Sequence, residues 1–397
     1  MTLLDRHLFR AVLTTCLAAM GLFGFLFMLE NVIRDLLGLV LAGQIGLATF
    51  GRLTFLLVPF VISFALPLGL LTGVLLALGR LSADAEITAM RAAGLGIRRI
   101  ARPILVLAVL GTAAAFKVNF DSMPWARVTY HKELADAVRA NPVKMLVPGT
   151  FVRDFPGIVV YVGSKDGPDL RDIWLWRLDG HRRASQFLRA DSGRVTYDDL
   201  SNELVLTLGR TRAEDLNQAD PEDFASPAPI GSFERSDPIR LSLDRFFGRP
   251  SVRRKLQWMT YGELGAEQAR LEAEARSAWA ALPPPQSPAR PAAREHARDL
   301  DRAAMKVAMT TAEKANLALA VFSFALVGIP LGIRVSRKET SANLALAAAM
   351  ALGYYLLTTM VGWLDPHPEY RPDLLLWVPN LVFLSVGGWL MATIDRR

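Results

Sequence analysis

Six long apolar segments interrupt an otherwise polar chain. They cover residues 8–29, 55–78, 104–120, 317–333, 344–361 and 374–394. Each is close to the ~20 residues with which an α-helix crosses a hydrocarbon core, the fourth and fifth being the shortest. Buried helices of a large soluble protein are the alternative, but six segments with almost no internal charge argue against it. The pattern predicts two bundles of three membrane-spanning helices.

The interval between the third and fourth segments has a strand-like pattern. Runs of β-branched and aromatic residues lie at 157–163, 170–178, 185–190, 194–197, 203–208 and 239–243. Turn-forming Asp-Gly at 166–167 and 179–180, and Asp-Ser-Gly at 191–193, separate several of them. Alternation within 170–178 predicts one face with Leu170, Asp172, Trp174 and Trp176, and another with Ile173 and Leu175. Short strands at this spacing favour an antiparallel sandwich or jelly roll.

Helical patterns return after the strands. A polar helix is predicted over 261–279, a proline-rich break over 283–291, and a second polar helix over 293–309. The predicted domains are residues 1–120 with three spans, 121–260 with the β domain, 261–313 as a connector and 314–397 with three further spans. The predicted fold class is a membrane α-helical protein, 3+3, with an inserted antiparallel β domain.

Basic residues are distributed unequally between the two sides of the predicted membrane. One side has twelve: Arg6, Arg10, Arg80, Arg91, Arg98, Arg99, Arg102, Arg334, Arg337, Lys338, Arg396 and Arg397. The short loops of the other side have three: Arg34, Arg52 and Arg371. Because Lys and Arg accumulate in cytoplasmic loops, both termini are predicted in the cytoplasm and the β domain outside it.

The composition agrees with a chain that combines apolar spans with a polar soluble domain. The 397 residues are 52% hydrophobic and 21% charged, with a net charge of +7 that the topology signal explains without nucleic acid. Cys16 is the single cysteine, which excludes an intrachain disulfide. The first apolar segment is too long for a signal peptide and has no small-residue cleavage site, so it predicts a retained helix.

Catalytic motifs are missing from the sequence. There is no G-x-x-x-x-G-K-[ST], no G-x-S-x-G and no H-E-x-x-H, and the five histidines lack metal-ligand spacing. These absences argue against nucleotide hydrolysis, or another enzymatic reaction, by this chain alone.

The segment between the second and third spans carries the most specific pattern. Ser82 is predicted to cap a short helix, with Glu86 in its first turn and Gly94 ending it in the left-handed conformation. Ile87 and Met90 would share one face, with Glu86 and Arg91 at its edge. The helix is either a solvated connector or a docking element for a cytoplasmic partner.

Four stretches together resemble one family. They are LDRHLFR at 4–10, LGRLSADAEITAMRAAGLG at 78–96, ADSGRVTY at 190–197 and GIPLGIRVSRK at 328–338. The chain resembles LptF/LptG permeases, the membrane halves of the lipopolysaccharide-export ABC transporter, and is nearer the F-type half. The resemblance covers the whole chain and implies an inner-membrane protein of a Gram-negative bacterium with a periplasmic β-jelly-roll domain.

The resemblance also implies partners. Residues 82–93 would form the coupling helix that enters a groove of the cytoplasmic ATPase, with Glu86, Ile87, Met90, Arg91 and Gly94 at the contact. A homologous permease half and two ATPase subunits would complete the transporter. ATP and Mg²⁺ would bind the ATPase, so no cofactor is expected in this chain. The jelly roll would pass lipopolysaccharide to a periplasmic jelly-roll bridge by edge-strand addition.

Basic residues near the outer surface are candidates for contact with the lipid phosphates. They are Arg34, which matches a basic position of the family, and Arg52, Lys117 and Lys314. Lys and Arg at span ends also snorkel to headgroups, which is the alternative for each. Glu30 could pair with Arg34. The proline that the family carries early in the fourth span is absent from 313–320, and the proline-rich stretch is longer than usual.

Two further features concern packing and alternatives. Gly69 and Gly73 form a small-xxx-small pair that predicts close helix packing in the second span, and Pro59 and Pro67 predict a kink there. A membrane-anchored scaffold without transport is the second hypothesis for function, and a membrane enzyme is the third.

Overall fold

A computed structural model describes residues 2–41, 45–140, 146–155, 157–180, 183–198, 201, 203–215, 230–235, 237–242, 255–334, 340–364 and 367–394. The predicted strand end Leu243 lies outside these residues. So do Arg337, Lys338, Arg396 and Arg397, four of the twelve basic residues from which the membrane orientation was predicted. The chain divides into two compact units, one of Met1–Asn31, Leu56–Val128 and Arg254–Arg397, the other of Val32–Phe55 and Thr129–Arg253.

Within the described residues, six helices are long and apolar enough to cross a membrane. We call them spans 1 to 6: Leu3–Leu41, Val58–Ala83, Ile97–Ala137, Arg290–Arg334, Ala342–Gly362 and Pro372–Ile394. Spans 1 and 3 contain π-helical segments at Val32–Leu37 and Val118–Ser122. Shorter helices are Leu47–Leu56, Glu86–Ala92 and Tyr261–Ala280, with 3₁₀ turns at Leu256–Trp258 and Pro368–Tyr370. The six predicted spans are confirmed.

Span 2 packs against span 1 through glycine. A Cβ added at Gly73 would lie 2.4 Å from the Cα of Cys16, and one at Gly69 would lie 2.8 Å from the Cα of Met20. Both obstacles are backbone atoms, so no rotamer change could make room. The predicted small-xxx-small contact is confirmed, and it lets the two helix backbones approach closely where the membrane offers no hydrophobic driving force.

Span 4 contacts another side of span 2. A Cβ at Gly332 would lie 3.4 Å from the Cα of Leu75. Leu8, Val74 and Ile100, from spans 1, 2 and 3, are fully buried in one apolar cluster that also contains Val321 of span 4. Span 2, the most buried of the six, is therefore the centre of the helical unit.

The connector helix, Tyr261–Ala280, begins with a capping box. Thr260 accepts from the Glu263 backbone N–H, and the Glu263 carboxylate accepts from the Thr260 N–H, which satisfies two otherwise orphaned donors. The Trp279 indole donates to Asp301 at 2.8 Å and ties the connector helix to the start of span 4. The predicted helices over 261–279 and 293–309 are present, and the second continues into span 4 as one 45-residue helix.

In the described part of the β domain, seven strands form one antiparallel sheet that is not closed. They are β1 (Phe151–Phe155), β2 (Ile158–Asp166), β3 (Asp169–Leu178), β4 (Ala184–Asp198), β5 (Glu203–Asp215), β6 (Ile230–Arg235) and β7 (Ile239–Ser242). The order is β1-β2-β3-β4-β5-β6, and β7 also pairs with β5. Within the described residues, mostly aliphatic side chains from β1 to β5 and β7 form one core cluster. The predicted fold class, helical spans with an inserted antiparallel β domain, is confirmed, although β1 and β6 were not predicted.

A crease crosses the middle four strands. Gly163, Asp172, Asp191 and Arg210 lie at one level of β2, β3, β4 and β5, between residues that pair in register. At this level the alternation of buried and exposed residues shifts by one position, so that the side chains facing the core are at odd numbers on one side of it and at even numbers on the other. Asp172 and Arg210 both have φ of 50°, a conformation uncommon for residues other than glycine. The crease lets both ends of each strand direct apolar side chains into the same core.

The crease corrects two predictions. Asp-Ser-Gly at 191–193 does not form a turn, because β4 runs through it as one 15-residue strand. Leu170 does not share a face with Trp174, since the shift at Asp172 returns Leu170 to the core beside Ile173. Trp174 and Trp176 do lie opposite Ile173 and Leu175, as the alternation predicts.

Replacing Arg210 with glycine should stabilise the β domain. An L side chain in the left-handed region costs about 1 kcal/mol, which glycine avoids, and the exposed Arg210–Asp191 ion pair at 3.5 Å contributes less than that. Thermal unfolding of the full chain in detergent, followed by near-ultraviolet circular dichroism, measures the change. Arg240→Gly on β7, where φ is not positive, is the control and should lower the transition temperature. A transition temperature for Arg210→Gly below that of wild type would contradict the claim that the left-handed conformation of Arg210 is strained.

Candidate functional site

The short helix Glu86–Ala92, called the Glu86 helix below, is defined by left-handed residues at both ends. Ala85, with φ of 59°, separates it from span 2, and Gly94, with φ of 86°, follows its end. Leu95 N–H donates to the Met90 carbonyl and Gly94 N–H to the Arg91 carbonyl, a Schellman motif. The predicted stop at Gly94 is confirmed.

Ser82 does not cap this helix. Span 2 continues to Ala83, and the helix begins at Glu86 with no side-chain cap. The Ser82 hydroxyl instead donates to the Ile333 carbonyl of span 4 at 3.2 Å. The prediction was wrong because the helix of span 2 continues through Ser82 to Ala83 before the chain reverses.

The Glu86 helix presents different residues to the interior and to its surroundings. Ile87 and Met90 are buried in the apolar cluster of spans 1 to 4. Arg91 and the small side chains of Thr88, Ala89 and Ala92 are exposed. A row of small residues with one cation can lie close against another protein, while Ile87 and Met90 hold the helix on its own chain.

One polar contact joins this helix to another span. Glu86 lies 3.3 Å from His7 of span 1, and its side chain is still 43% exposed. Nearby, Arg99 at the start of span 3 pairs with Asp5 of span 1 at 3.3 Å, and the Ser82 contact joins span 2 to span 4. The His7 contact and the buried Ile87 and Met90 therefore hold the Glu86 helix on the bundle.

The four predicted basic residues lie in two places. Arg34 and Arg52 belong to the unit that contains the β domain, and Lys117 and Lys314 to the helical unit. Arg34 lies in the π-helical segment of span 1, where its Nε is 3.0 Å from an Asp35 carboxylate oxygen and its side chain is 60% exposed. Arg52 is exposed on the helix Leu47–Leu56.

Lys117 and Lys314, both in the helical unit, differ in exposure and partners. Lys314 is only 7% exposed, donates to the Met259 carbonyl at 2.7 Å and has its ammonium 5.8 Å from the Phe120 ring. It thus fastens the connector to span 4. Lys117 is highly exposed and lies 3.8 Å from Asp121, an exposed pair of little energetic value. Of the two, only Lys117 is available to a ligand as the structure stands.

A groove of about 740 Å³ opens beside Lys117. Phe116, Phe120, Tyr261 and Trp377 give it aromatic walls, and Asp121 and Asp373 give it negative charge. The Asp373 carboxylate is paired with Arg371 through two hydrogen bonds of 3.1 Å, which raise the pKa of the guanidinium. The groove can accommodate an apolar chain with a cationic rim group nearby.

A buried polar network was not predicted from sequence. Asn380 of span 6 donates to the Asn316 side chain of span 4 at 2.8 Å and accepts from Ser323 at 2.8 Å. The Tyr354 hydroxyl of span 5 donates to the Asn316 carbonyl at 3.2 Å. All four side chains are buried. Single polar residues within apolar spans are the signal that could have found them.

Asn380→Leu should lower the stability of the helical unit by about 1 kcal/mol. Interhelical hydrogen bonds in membrane proteins each contribute roughly that much, and Ser323 would lose its acceptor. Thermal unfolding in detergent measures the change, with Thr359→Val on span 5 as the control because its exposed hydroxyl bonds only its own helix. Equal transition temperatures for the two variants would contradict a stabilising network.

Comparisons with known proteins agree with these elements. The family model for the lipopolysaccharide export system permease LptF/LptG matches residues 6–393. The chain is 26% identical over 393 residues to the lipopolysaccharide export system permease protein LptF of Escherichia coli strain K12, covering 96% of this chain and 92% of that protein. The LptF proteins of E. coli O157:H7 and Shigella flexneri give the same values. Because the family model covers nearly the whole chain, the chain belongs to the LptF/LptG family of lipopolysaccharide export permeases.

Proposed function

We propose that this chain is a non-catalytic permease subunit that extracts lipopolysaccharide from the inner membrane, powered by a separate cytoplasmic ATPase. The family match over residues 6–393 is the observation that carries the proposal. A scaffold without transport would need no cytoplasmic docking helix, and nothing in the comparisons supports it.

The Glu86 helix is the proposed contact with the ATPase. Its exposed small residues and Arg91 allow close approach, and Glu86 supplies the charge at the edge of the contact. Ile87 and Met90 act by fixing the helix, and Gly94 by ending it. Two ATPase subunits would bind ATP and Mg²⁺, one for this chain and one for a homologous permease half. Closure of the ATPases would move the bundle through the contacts of the Glu86 helix.

The proposed orientation places both termini in the cytoplasm and the β domain in the periplasm. The excess of Arg and Lys on the side of the Glu86 helix supports it. In this orientation Arg34, Arg52 and Lys117 lie towards the outer surface, where they would contact lipid phosphates. Lys314 can join them only when it leaves the Met259 carbonyl.

The β domain is the proposed exit route. Its sheet is open, with β1 at one edge, and an unpaired strand edge is a template for a further strand. A periplasmic jelly-roll bridge could add to that edge and continue the sheet. Acyl chains would travel along the aliphatic inner face.

Purification of the tagged full-length chain in mild detergent, followed by mass spectrometry of bound proteins and lipids, tests the proposal. We expect an ABC ATPase, a second LptF/LptG-family chain and lipopolysaccharide. Recovery of the chain with periplasmic proteins but with neither ATPase nor lipopolysaccharide would overturn the proposal in favour of a scaffold.

A further inference from the structure

The outer face of the β sheet, opposite the core, carries a continuous aromatic cluster. Phe151, Tyr161, Trp174, Trp176 and Phe187 come from β1 to β4. Consecutive ring centroids lie 5.0 Å apart for Phe151–Tyr161, 5.6 Å for Tyr161–Trp174, 6.0 Å for Trp174–Trp176 and 5.1 Å for Trp176–Phe187. The aliphatic core lies on the other face. The cluster is therefore not an extension of that core.

Strand pairing arranges part of this face as one straight row. Phe151 pairs with Tyr161, Tyr161 with Trp174, Trp174 with Arg189, and Arg189 with Arg212. We call these five residues the outer row. Its rings lie on three neighbouring strands and its guanidinium groups on the next two. Since neighbouring strands are about 4.8 Å apart, the row spans roughly 19 Å.

The two arginines differ in their partners. Arg189 lies 5.0 Å from the Trp174 ring and 3.3 Å from an Asp172 carboxylate oxygen. Asp172 also accepts the Trp174 indole N–H at 2.8 Å, which fixes the ring. Arg212 is exposed and has no ion pair within the described part of the chain. Like charges directly opposite on paired strands are unfavourable, and an anion between them would remove that cost.

We propose that the outer row binds an anionic oligosaccharide, the sugar part of the exported lipopolysaccharide. The faces of pyranose rings present weakly positive C–H groups, which stack on the negative faces of aromatic rings. Ring spacings of 5–6 Å suit successive sugars of a chain, and the guanidinium groups suit phosphate or carboxylate substituents. A groove of about 720 Å³ beside Phe151 and Trp176, which Arg153 also lines, gives room at the row's end.

Sugar binding by the outer row rests on the proposed function, because the sugar is that of the exported lipopolysaccharide. It assigns the two faces of the sheet to the two parts of one amphipathic cargo. Acyl chains would contact the aliphatic inner face and sugars the outer row. Membrane insertion of the aromatic cluster is less favoured, because Tyr161, Trp174, Trp176 and Phe187 are half-buried against each other rather than projecting.

The test uses the full-length chain in lipid nanodiscs and three probes: lipopolysaccharide with its phosphorylated core, lipid A without core sugars, and the core oligosaccharide freed of lipid. We expect the core oligosaccharide to bind, and Trp174→Ala to weaken it by about tenfold, as for loss of one hot-spot ring. Arg212→Gln should weaken it less at high salt than at low salt. This exposed, unpaired residue can be replaced without a folding cost, so its result stands if Trp174→Ala misfolds. Phe233→Ala, an exposed aromatic of β6 outside the row, is the matched control and should bind normally.

The outcomes separate the proposals. If wild type bound lipopolysaccharide and lipid A with equal affinity and did not bind the oligosaccharide, the outer row would not be a sugar-binding site. The proposed function would remain intact. Failure of both glycolipids to bind would count against the proposed function itself. If the Trp174 and Arg212 variants bound oligosaccharide normally but lost a periplasmic protein partner, the row would be a protein interface and the proposal wrong.

Discussion

Glu86→Arg should sharply reduce recovery of the ATPase with this chain while leaving the chain folded. The Glu86 side chain is 43% exposed on a helix whose larger apolar residues, Ile87 and Met90, are already buried. Beside its contact with His7, the Glu86 carboxylate can therefore also contact another protein. Reversing an interfacial charge commonly costs several kcal/mol, so recovered ATPase should fall by at least about tenfold. Quantitative mass spectrometry of the detergent-purified complex measures the change.

Two controls separate docking from folding. Glu272→Arg makes the same charge change on the exposed connector helix and should leave recovery unchanged. His7→Ala removes the partner that Glu86 has within its own chain and should preserve most of the recovery. If His7→Ala were as damaging as Glu86→Arg, Glu86 would serve internal packing rather than the ATPase.

Gly73→Ala should lower the stability of the helical unit by about 3 kcal/mol, the upper part of the range for overpacked cores. The new Cβ would lie 2.4 Å from the Cα of Cys16 and 2.7 Å from its backbone nitrogen. Because these are backbone atoms, spans 1 and 2 must separate along their contact. Fluorescence-detected size exclusion after heating measures the transition temperature.

Gly21→Ala is the control for this substitution. It lies in span 1, the helix that Gly73 of span 2 contacts, but a Cβ there would meet nothing within 4 Å. Its transition temperature should equal that of wild type or rise slightly, since alanine is the better helix former. A transition temperature for Gly73→Ala within about 1 °C of that for Gly21→Ala would show that spans 1 and 2 are not in this close contact; about 1 kcal/mol corresponds to several degrees in a small domain.

Much of the fold follows from two patterns in the sequence. Apolar segments of about 20 residues predicted all six spans. Runs of β-branched and aromatic residues, with clear alternation in β3, predicted β2, β3, β4, β5 and β7. The crease was missed because left-handed Asp172 and Arg210 have no sequence signal comparable to glycine. An Asp-Ser-Gly triplet normally indicates a turn, and only the pairing of β4 with both neighbours extends the strand through it.

The candidate site was predictable in part. Gly94 at a helix end has a conformational reason that local sequence reveals. Local sequence does not show what Ile87 and Met90 pack against, because an apolar helix face can pack on its own chain or on a partner. Single polar residues within apolar spans mark Asn316 and Asn380, but their meeting depends on the packing of three helices, which no local pattern encodes. Lys314 was predicted as a ligand contact, and its bond to Met259 depends on the course of the connector.

Transfer of lipopolysaccharide in a reconstituted system tests the central claim most directly. Proteoliposomes would contain this chain, its homologous permease half, the ATPase and lipopolysaccharide, with a soluble periplasmic jelly-roll acceptor added outside. Crosslinking of lipopolysaccharide to the acceptor should require ATP, Mg²⁺ and this chain, and should be lost with Glu86→Arg. Equal crosslinking without this chain, or none with all components present and ATP being hydrolysed, would contradict its role as a lipopolysaccharide permease subunit.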